Sequence, residues 1–262
     1  MLIGRYERPA TMDKAAALVI HEGCVPLGGG VWTGLTSRSI ASAVDLSLLG
    51  IDKIEDSGGE VIIGAMTTLR SLETSLLLEK TFGGVFARAV GHIAGVQLRN
   101  IVTLGGSVAG KYGFSDVSTL LVALSAQLVF HDGGRIGIED FLLAPRDKPF
   151  LLVGIAVGKG RRAAYQSLRV TANDFPVLNA CASFDGTAWR LAVGSRPAAA
   201  RLCPAAASLL GSDPAPDRAS AGRSGACAAG ELGFGDDLRA GADYRRTICP
   251  VLLERAILEA SR

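Results

Sequence analysis

Two glycine-rich strings contain the residues whose types and spacing could do chemistry. Pro26-Leu27-Gly28-Gly29-Gly30-Val31-Trp32 follows a short apolar run from Cys24 that reads as a strand. Thr103-Leu104-Gly105-Gly106-Ser107, continued through Gly110 to Ser115-Asp116, lies between two helical patterns. Glycine lets a backbone come within hydrogen-bond distance of a ligand and adopts positive φ where a loop demands it. Successive exposed N–H groups then form a concave anion site. The chemistry expected of such a pair is a grip on a diphosphate, held between two pieces of chain by peptide groups. For the second string alone, a tight turn followed by a Ser or Asp helix cap is the plainer reading. Neither string is the dinucleotide pattern G-x-G-x-x-G, and no lysine-ended phosphate loop is present.

Other chemistries find little support. No Ser/His/Asp set, metal cluster or acid–base pair is visible, so no catalytic side chain is named, and His21, His92 and His131 read as structural. The five cysteines have no C-x-x-C spacing, which argues against an iron–sulfur cluster in this chain and for reduced thiols in a reducing compartment. Hydrophobic residues at 48% and charged residues at 20% describe a globular chain long enough for one large domain or two modest ones. A net charge of +2 argues against nucleic acid as a partner. The doublets Arg161-Arg162 and Arg245-Arg246 read as solvated faces. The N-terminus lacks a signal-peptide arrangement and the apolar run at 120–130 is too short to span a bilayer, so a cytoplasmic protein is expected.

The elements that would position the two strings follow from pattern. Thr11 stands where an N-cap belongs, and the spacing of Ala15, Leu18 and Val19 predicts a helix over 12–22 ended by Gly23. Strands are expected at 24–27 and 43–46, with 32–38 as a loop around the ligand. Ile54-Glu55 and Val61-Ile62-Ile63 flank a glycine turn and predict a hairpin. Helices are expected from Thr68 to residue 78, over 84–94, and from 116 to 126, followed by a hairpin of 127–131 and 135–138. Met66, Phe86 and Phe141 read as core. Further on, strands are expected at 151–157, 162–168, 177–184 and 187–193, the last two joined by Asp185-Gly186 as a two-residue turn. Helices follow at 198–210 and 245–260, while the Pro, Gly, Ala and Ser content of 212–235 reads as loop or frayed helix.

The string Ile93-Ala94-Gly95-Val96-Gln97-Leu98-Arg99-Asn100-Ile101-Val102-Thr103-Leu104-Gly105-Gly106-Ser107, with Phe114-Ser115-Asp116 after it and Leu27-Gly28-Gly29-Gly30 before it, resembles the FAD-binding medium subunit of the molybdenum hydroxylases. That family includes xanthine dehydrogenase and carbon monoxide dehydrogenase. Leu191-Ala192-Val193-Gly194-Ser195-Arg196-Pro197 and Tyr244-Arg245-Arg246 extend the resemblance to the C-terminal third. It implies an α+β fold: a two-lobed FAD-binding domain of the vanillyl-alcohol oxidase/PCMH type over 1–160, with lobes of about 1–53 and 54–160. A C-terminal domain over 161–262 would carry a three-stranded antiparallel sheet and a helical cluster.

The resemblance also implies roles. Leu27 and Gly28, Gly29, Gly30, Val31 and Trp32 would form one arm around the FAD pyrophosphate, and Thr103, Gly106 and Ser107 the other. Gly110, Ser115 and Asp116 would lie nearer the ribityl chain and isoalloxazine, where a carboxylate accepts strongly from hydroxyls; helix capping competes for Asp116. Ile93 and Leu151 match flavin- or adenine-facing positions, with core burial as the alternative. Arg99 and Asn100 would brace the loop. The family commonly has threonine at Val31, a polar residue at Trp32 and asparagine at Ser107, and some relatives carry a lysine near Val177. These departures imply weakened rather than abolished FAD affinity. The function implied is electron transfer, with a small iron–sulfur subunit and a large molybdopterin subunit as partners and NAD or another acceptor beyond. The Gly110 to Asp116 string leans toward the xanthine dehydrogenase branch. Two rivals remain: a stand-alone FAD reductase of the same fold, which would need a proton-donating substrate domain, and a non-catalytic assembly subunit.

Overall fold

The computed structural model describes residues 2–35, 37, 39–145 and 149–262. Three sheets organise it. The first is parallel, with β1 (Leu2–Glu7), β2 (Cys24–Leu27) and β3 (Ser39–Asp45) in the order β1-β3-β2. Helix Met12–Val19 connects β1 to β2; Thr11 caps it, its hydroxyl accepting from the Lys14 N–H at 3.4 Å. This helix is shorter than expected, because the chain turns down through residues 20–23 to Gly23 at φ 75°. Strand β1 was not anticipated, since its residues are almost all exposed and show no buried face.

The second sheet is antiparallel: β4 (Ile54–Ser57), β5 (Glu60–Gly64), β6 (Gln127–Phe130), β7 (Arg135–Gly137) and β8 (Leu152–Gly158), ordered β4-β5-β8-β6-β7. Gly58 and Gly133, at φ 69° and 82°, turn the two expected hairpins. Between β5 and β6 runs a helical layer. Thr68 caps Leu69–Thr74 as expected, but the run breaks at Ser75, whose extended backbone and hydroxyl cap a new helix, Leu76–Phe82. Helices Val85–Val90, Val96–Arg99, Leu104–Ala109 and Asp116–Ala123 follow. Phe86 and Phe141 are buried in the core that this layer forms with the sheet.

The third sheet is β9 (Arg162–Arg169), β10 (Pro176–Phe184), β11 (Trp189–Gly194) and β12 (Arg201–Leu202), ordered β12-β11-β10-β9. It has a fourth strand beyond the three expected, because the two-residue β12 pairs where a helix over 198–210 was predicted; only Pro204–Ser208 is helical there. Successive side chains of a strand face opposite ways. Cys181 therefore joins the core shared with the second sheet, while Ala180 and Ala182 join the one beneath the C-terminal helices. The β10–β11 connection is the loop 185–188 rather than a two-residue turn. Burial pushes the Asp185 carboxyl up, but donors from Ala188 and Thr187 and the nearby Arg161 outweigh it and hold the pKa at about 2.

Of the loop or frayed helix expected over 212–235, Arg218–Glu231 is an α-helix of 14 residues capped by Asp217. Its small residues are what allow it to lie close against helix Ala242–Ala260: a Cβ on Gly225 would stand 2.7 Å from the Pro250 carbonyl oxygen. Helix propensity alone favours Gly225→Ala by about 1 kcal/mol. The contact reverses that sign, and thermal unfolding is expected to show a loss of about 1–3 kcal/mol; a stabilised variant would refute the close packing. Arg245 is no solvated residue either. It is fully buried, donating to the carbonyls of Val177 at 2.8 Å and Gly235 at 2.7 Å and to Asp237 at 2.6 Å. His131, just past β6, also has a partner, Asp13 in the first turn of helix Met12–Val19, at 2.9 Å. All five cysteines are free. Burial raises the Cys181 and Cys203 thiols and lifts Cys249 to about 12, so they pack as small apolar groups.

Candidate functional site

The first glycine string leaves β2 at Leu27, whose carbonyl accepts the Leu46 N–H at 3.3 Å. The chain then needs a left-handed residue, Gly30 at φ 67°, to enter the single helical turn Val31–Gly34. A turn therefore stands where 32–38 was expected as loop, with 36 and 38 outside the described residues. None of the consecutive N–H groups from Gly28 to Trp32 has a hydrogen-bond partner among the described residues. Backbone donors are paired almost everywhere in folded chains, so an unpartnered run beside a cavity is a ready anion cradle.

The second string behaves differently. Thr103 caps helix Leu104–Ala109 and its hydroxyl takes the Gly106 N–H at 3.2 Å. The Leu104 and Gly105 N–H groups go to the carbonyls of Thr67 and Ala65, each at 2.8 Å, and that of Ser107 goes to the Thr103 carbonyl at 3.0 Å. The amides of this arm are committed to the fold, contrary to the expectation that it exposes several. It offers hydroxyls instead: those of Thr103 and of Ser107, the latter donating to the Thr103 carbonyl at 2.9 Å. The two arms touch. A Cβ on Gly28 would lie 2.4 Å from the Thr103 hydroxyl oxygen, and one on Gly29 only 1.8 Å from the Ile101 carbonyl oxygen.

Between the arms opens a cavity of about 410 Å³. Gly28, Gly29, Gly30, Val31 and Trp32 line it from one side, Thr103, Gly106, Ser107 and Gly110 from the other, and Leu151 from β8's approach. Met66 also lines it, so it is not core alone. A second cavity of about 230 Å³ adjoins, sharing Val31, Trp32, Ser107 and Tyr112, and takes in Ile93, Ser115 and Asp116. Leu27 lines neither.

The second cavity's walls were mostly unforeseen. Trp32, Tyr112, Phe114 and Phe175 form one aromatic cluster, with Tyr112 and Phe114 stacked at 5.2 Å and Phe114 and Phe175 tilted by 48° at 4.3 Å. Phe175 comes from the β9–β10 connection, where nothing local marks it. Ser115, rather than Asp116, caps the following helix, accepting from the Ser118 N–H at 3.1 Å. Asp116 is buried, and its Oδ1 accepts from Tyr165, from Arg169 at 2.6 Å and from Asn179 at 3.3 Å. Burial, then the carboxylate beside it, drives the Tyr165 hydroxyl well above its ordinary pKa. Arg99 braces the loop, donating to the carbonyls of Ile93 at 3.1 Å and Ala94 at 2.8 Å while paired with Glu73 at 2.9 Å. It thereby fixes Ile93 at the cavity wall.

This arrangement fits a flavin dinucleotide. Residues 28–32, whose amides have no partner among the described residues, line the space for a diphosphate, a Cβ could not be accommodated at Gly28 or Gly29, and two adjoining apolar cavities can take ring systems. Sequence models agree: residues 3–157 match the FAD-binding domain in molybdopterin dehydrogenase, and residues 163–260 match the CO dehydrogenase flavoprotein C-terminal domain. The chain belongs to this family of FAD-binding domains. It is 28% identical to the nicotine 6-hydroxylase medium subunit of Paenarthrobacter nicotinovorans, over 98% of this chain and 96% of that one. Against the uncharacterized protein YgfM of Escherichia coli K12 it is also 28% identical, but over 56% of this chain and 57% of YgfM, so the match spans little more than half of that relative. Its fold matches that of carbon monoxide dehydrogenase from Hydrogenophaga pseudoflava with a TM-score of 0.89 at 24% identity, covering 98% and 96% of the two chains.

Proposed function

We propose that this chain is the FAD-binding electron-transfer subunit of a molybdenum hydroxylase complex. The observation that carries the reading is the run from Gly28 to Trp32, whose N–H groups have no partner among the described residues, set across one cavity from the Thr103 turn. FAD, when bound, supplies electron relay between the iron–sulfur clusters of a small partner subunit and NAD or another acceptor. The amides of Gly28 to Trp32 compensate the diphosphate charge, with no lysine among the described residues that line the cavity, and the Thr103 hydroxyl hydrogen-bonds from the opposite side. Ile93, Trp32 and the neighbouring rings shield the second cavity from water. Gly110, Ser115 and Asp116 would supply acceptors to the hydroxyls of the ribityl chain, and Leu151 would pack against a ring of the nucleotide in the first cavity.

In the same reading a large molybdopterin subunit chooses the substrate, and the complex is cytoplasmic. No helix among the described residues is long and apolar enough to cross a membrane. The Gly110 to Asp116 string supports a xanthine dehydrogenase-like branch, while nicotine 6-hydroxylase among the relatives supports an N-heterocycle hydroxylase of another branch. Purification of the tagged chain from its own host, with an absorbance spectrum and iron and molybdenum analysis, is the test. A flavin band with both metals co-purifying is expected. Flavin without metals would favour a stand-alone reductase, and metals without flavin an assembly role.

A further inference from the structure

Arg169 is the cation that lines the second cavity, and no lysine or arginine lines the first among the described residues. Its side chain is 8% exposed, and that of Asp116, its partner, is 5% exposed. The hydrogen bonds around the pair are lopsided. Asp116 Oδ1 collects donors from Arg169, Tyr165 and Asn179. The Arg169 Nε–H, by contrast, is buried with no hydrogen-bond partner among the described residues. Its remaining bond runs from Nη1 to the Asp174 carbonyl. Asp174 also lines the cavity, but its carboxylate is taken by Arg239 at 3.0 Å, and that contact holds its pKa down. The wall therefore carries a carboxylate whose charge is spread over several donors and, beside it, a largely dehydrated guanidinium.

Resting on the FAD reading above, we propose that Arg169 is the electrostatic partner of the flavin ring, favouring its reduced form, with Asp116 as the opposing charge that limits the effect. Reduction of a flavin leaves negative charge on its pyrimidine edge, and protein charge near that edge tunes the couple. A dehydrated guanidinium stabilises added negative charge far more than a solvated one. The pair also joins the helix at Asp116–Ala123 to β9, so a purely structural role is the competing explanation. The two roles differ in sign. A structural role weakens oxidised and reduced FAD alike, whichever partner is removed. The electrostatic role separates the two forms, and in opposite directions for the two partners.

The test is titration of the purified chain with oxidised FAD and with dithionite-reduced FAD, followed by tryptophan fluorescence. Arg169→Gln is expected to weaken reduced FAD about tenfold more than oxidised FAD, equivalent to about 30 mV for a two-electron couple. Asp116→Asn is expected to shift the ratio the other way, and Arg169→Lys to stay near the parent. Should Arg169→Gln fail to fold, Asp116→Asn and Arg169→Lys still distinguish the electrostatic role from the structural one. Equal weakening of both forms in Arg169→Gln, or a reduced-to-oxidised ratio unmoved by Asp116→Asn, overturns the proposal. A parent chain that binds neither form removes the FAD reading itself, and this proposal with it.

Discussion

Gly29→Ala is expected to weaken FAD binding about a hundredfold, or about 2.8 kcal/mol, while leaving most of the fold intact. The added Cβ would sit 1.8 Å from the Ile101 carbonyl oxygen and 2.6 Å from its carbon, both backbone atoms. No rotamer can relieve a clash with backbone, so the first arm must lift away from the second. Its unpartnered amides then lose their common aim, which is the property that makes them an anion site. Gly34→Ala is the control, because a Cβ there meets nothing within 4 Å. Isothermal titration of both variants with FAD checks the expectation, and circular dichroism confirms that the fold persists. Parity between the two variants would mean that the contact between the arms does not shape the binding site.

Arg245→Met is expected to produce the largest loss of stability, about 3–5 kcal/mol and on the order of 10 °C in melting temperature. The Arg245 side chain is fully buried, and Asp237 beside it is about a third exposed. Burial pushes the Asp237 carboxyl up, but the Arg245 guanidinium and the N–H groups of Arg239 and Ala240 outweigh it, holding the pKa down. Methionine fills a similar volume but strands the Val177, Gly235 and Ala240 carbonyls and that carboxylate. Each stranded acceptor costs about 1–3 kcal/mol when water cannot reach it. Calorimetric melting reads the effect. A shift of a degree or two would mean that water replaces the guanidinium, and that the C-terminal sheet and helix Ala242–Ala260 are not pinned together through this side chain.

What was legible in the chain was local. Strand β2 falls at Cys24–Leu27 as its apolar run predicts, and Thr11 and Thr68 cap helices because a hydroxyl three residues ahead of an N–H is a purely local device. What was not legible depends on partners far along the chain. The Gly105-Gly106 amides looked available, yet the Ala65 carbonyl takes the first and the Thr103 hydroxyl the second, so the pair serves close packing more than anion binding. Helix Arg218–Glu231 read as loop or frayed helix because the Gly and Ser among its alanines lower helix propensity, and packing against helix Ala242–Ala260 offsets that cost. Arg245 read as solvated since its acceptors are scattered from residue 177 to 240. Phe175 and Arg169 reach the second cavity from the third sheet, which no spacing rule connects to Asp116.

The central claim is that FAD is gripped chiefly by the peptide groups of the first arm. Amide hydrogen–deuterium exchange over residues 26–34 and 101–110, with and without FAD, addresses it directly. FAD is expected to slow exchange strongly at Gly28 to Trp32, whose donors are otherwise unpartnered, and to change little at Leu104 to Ser107, whose donors are already bonded within the fold. Protection confined to the second segment, with the first exchanging freely in saturating FAD, would contradict it.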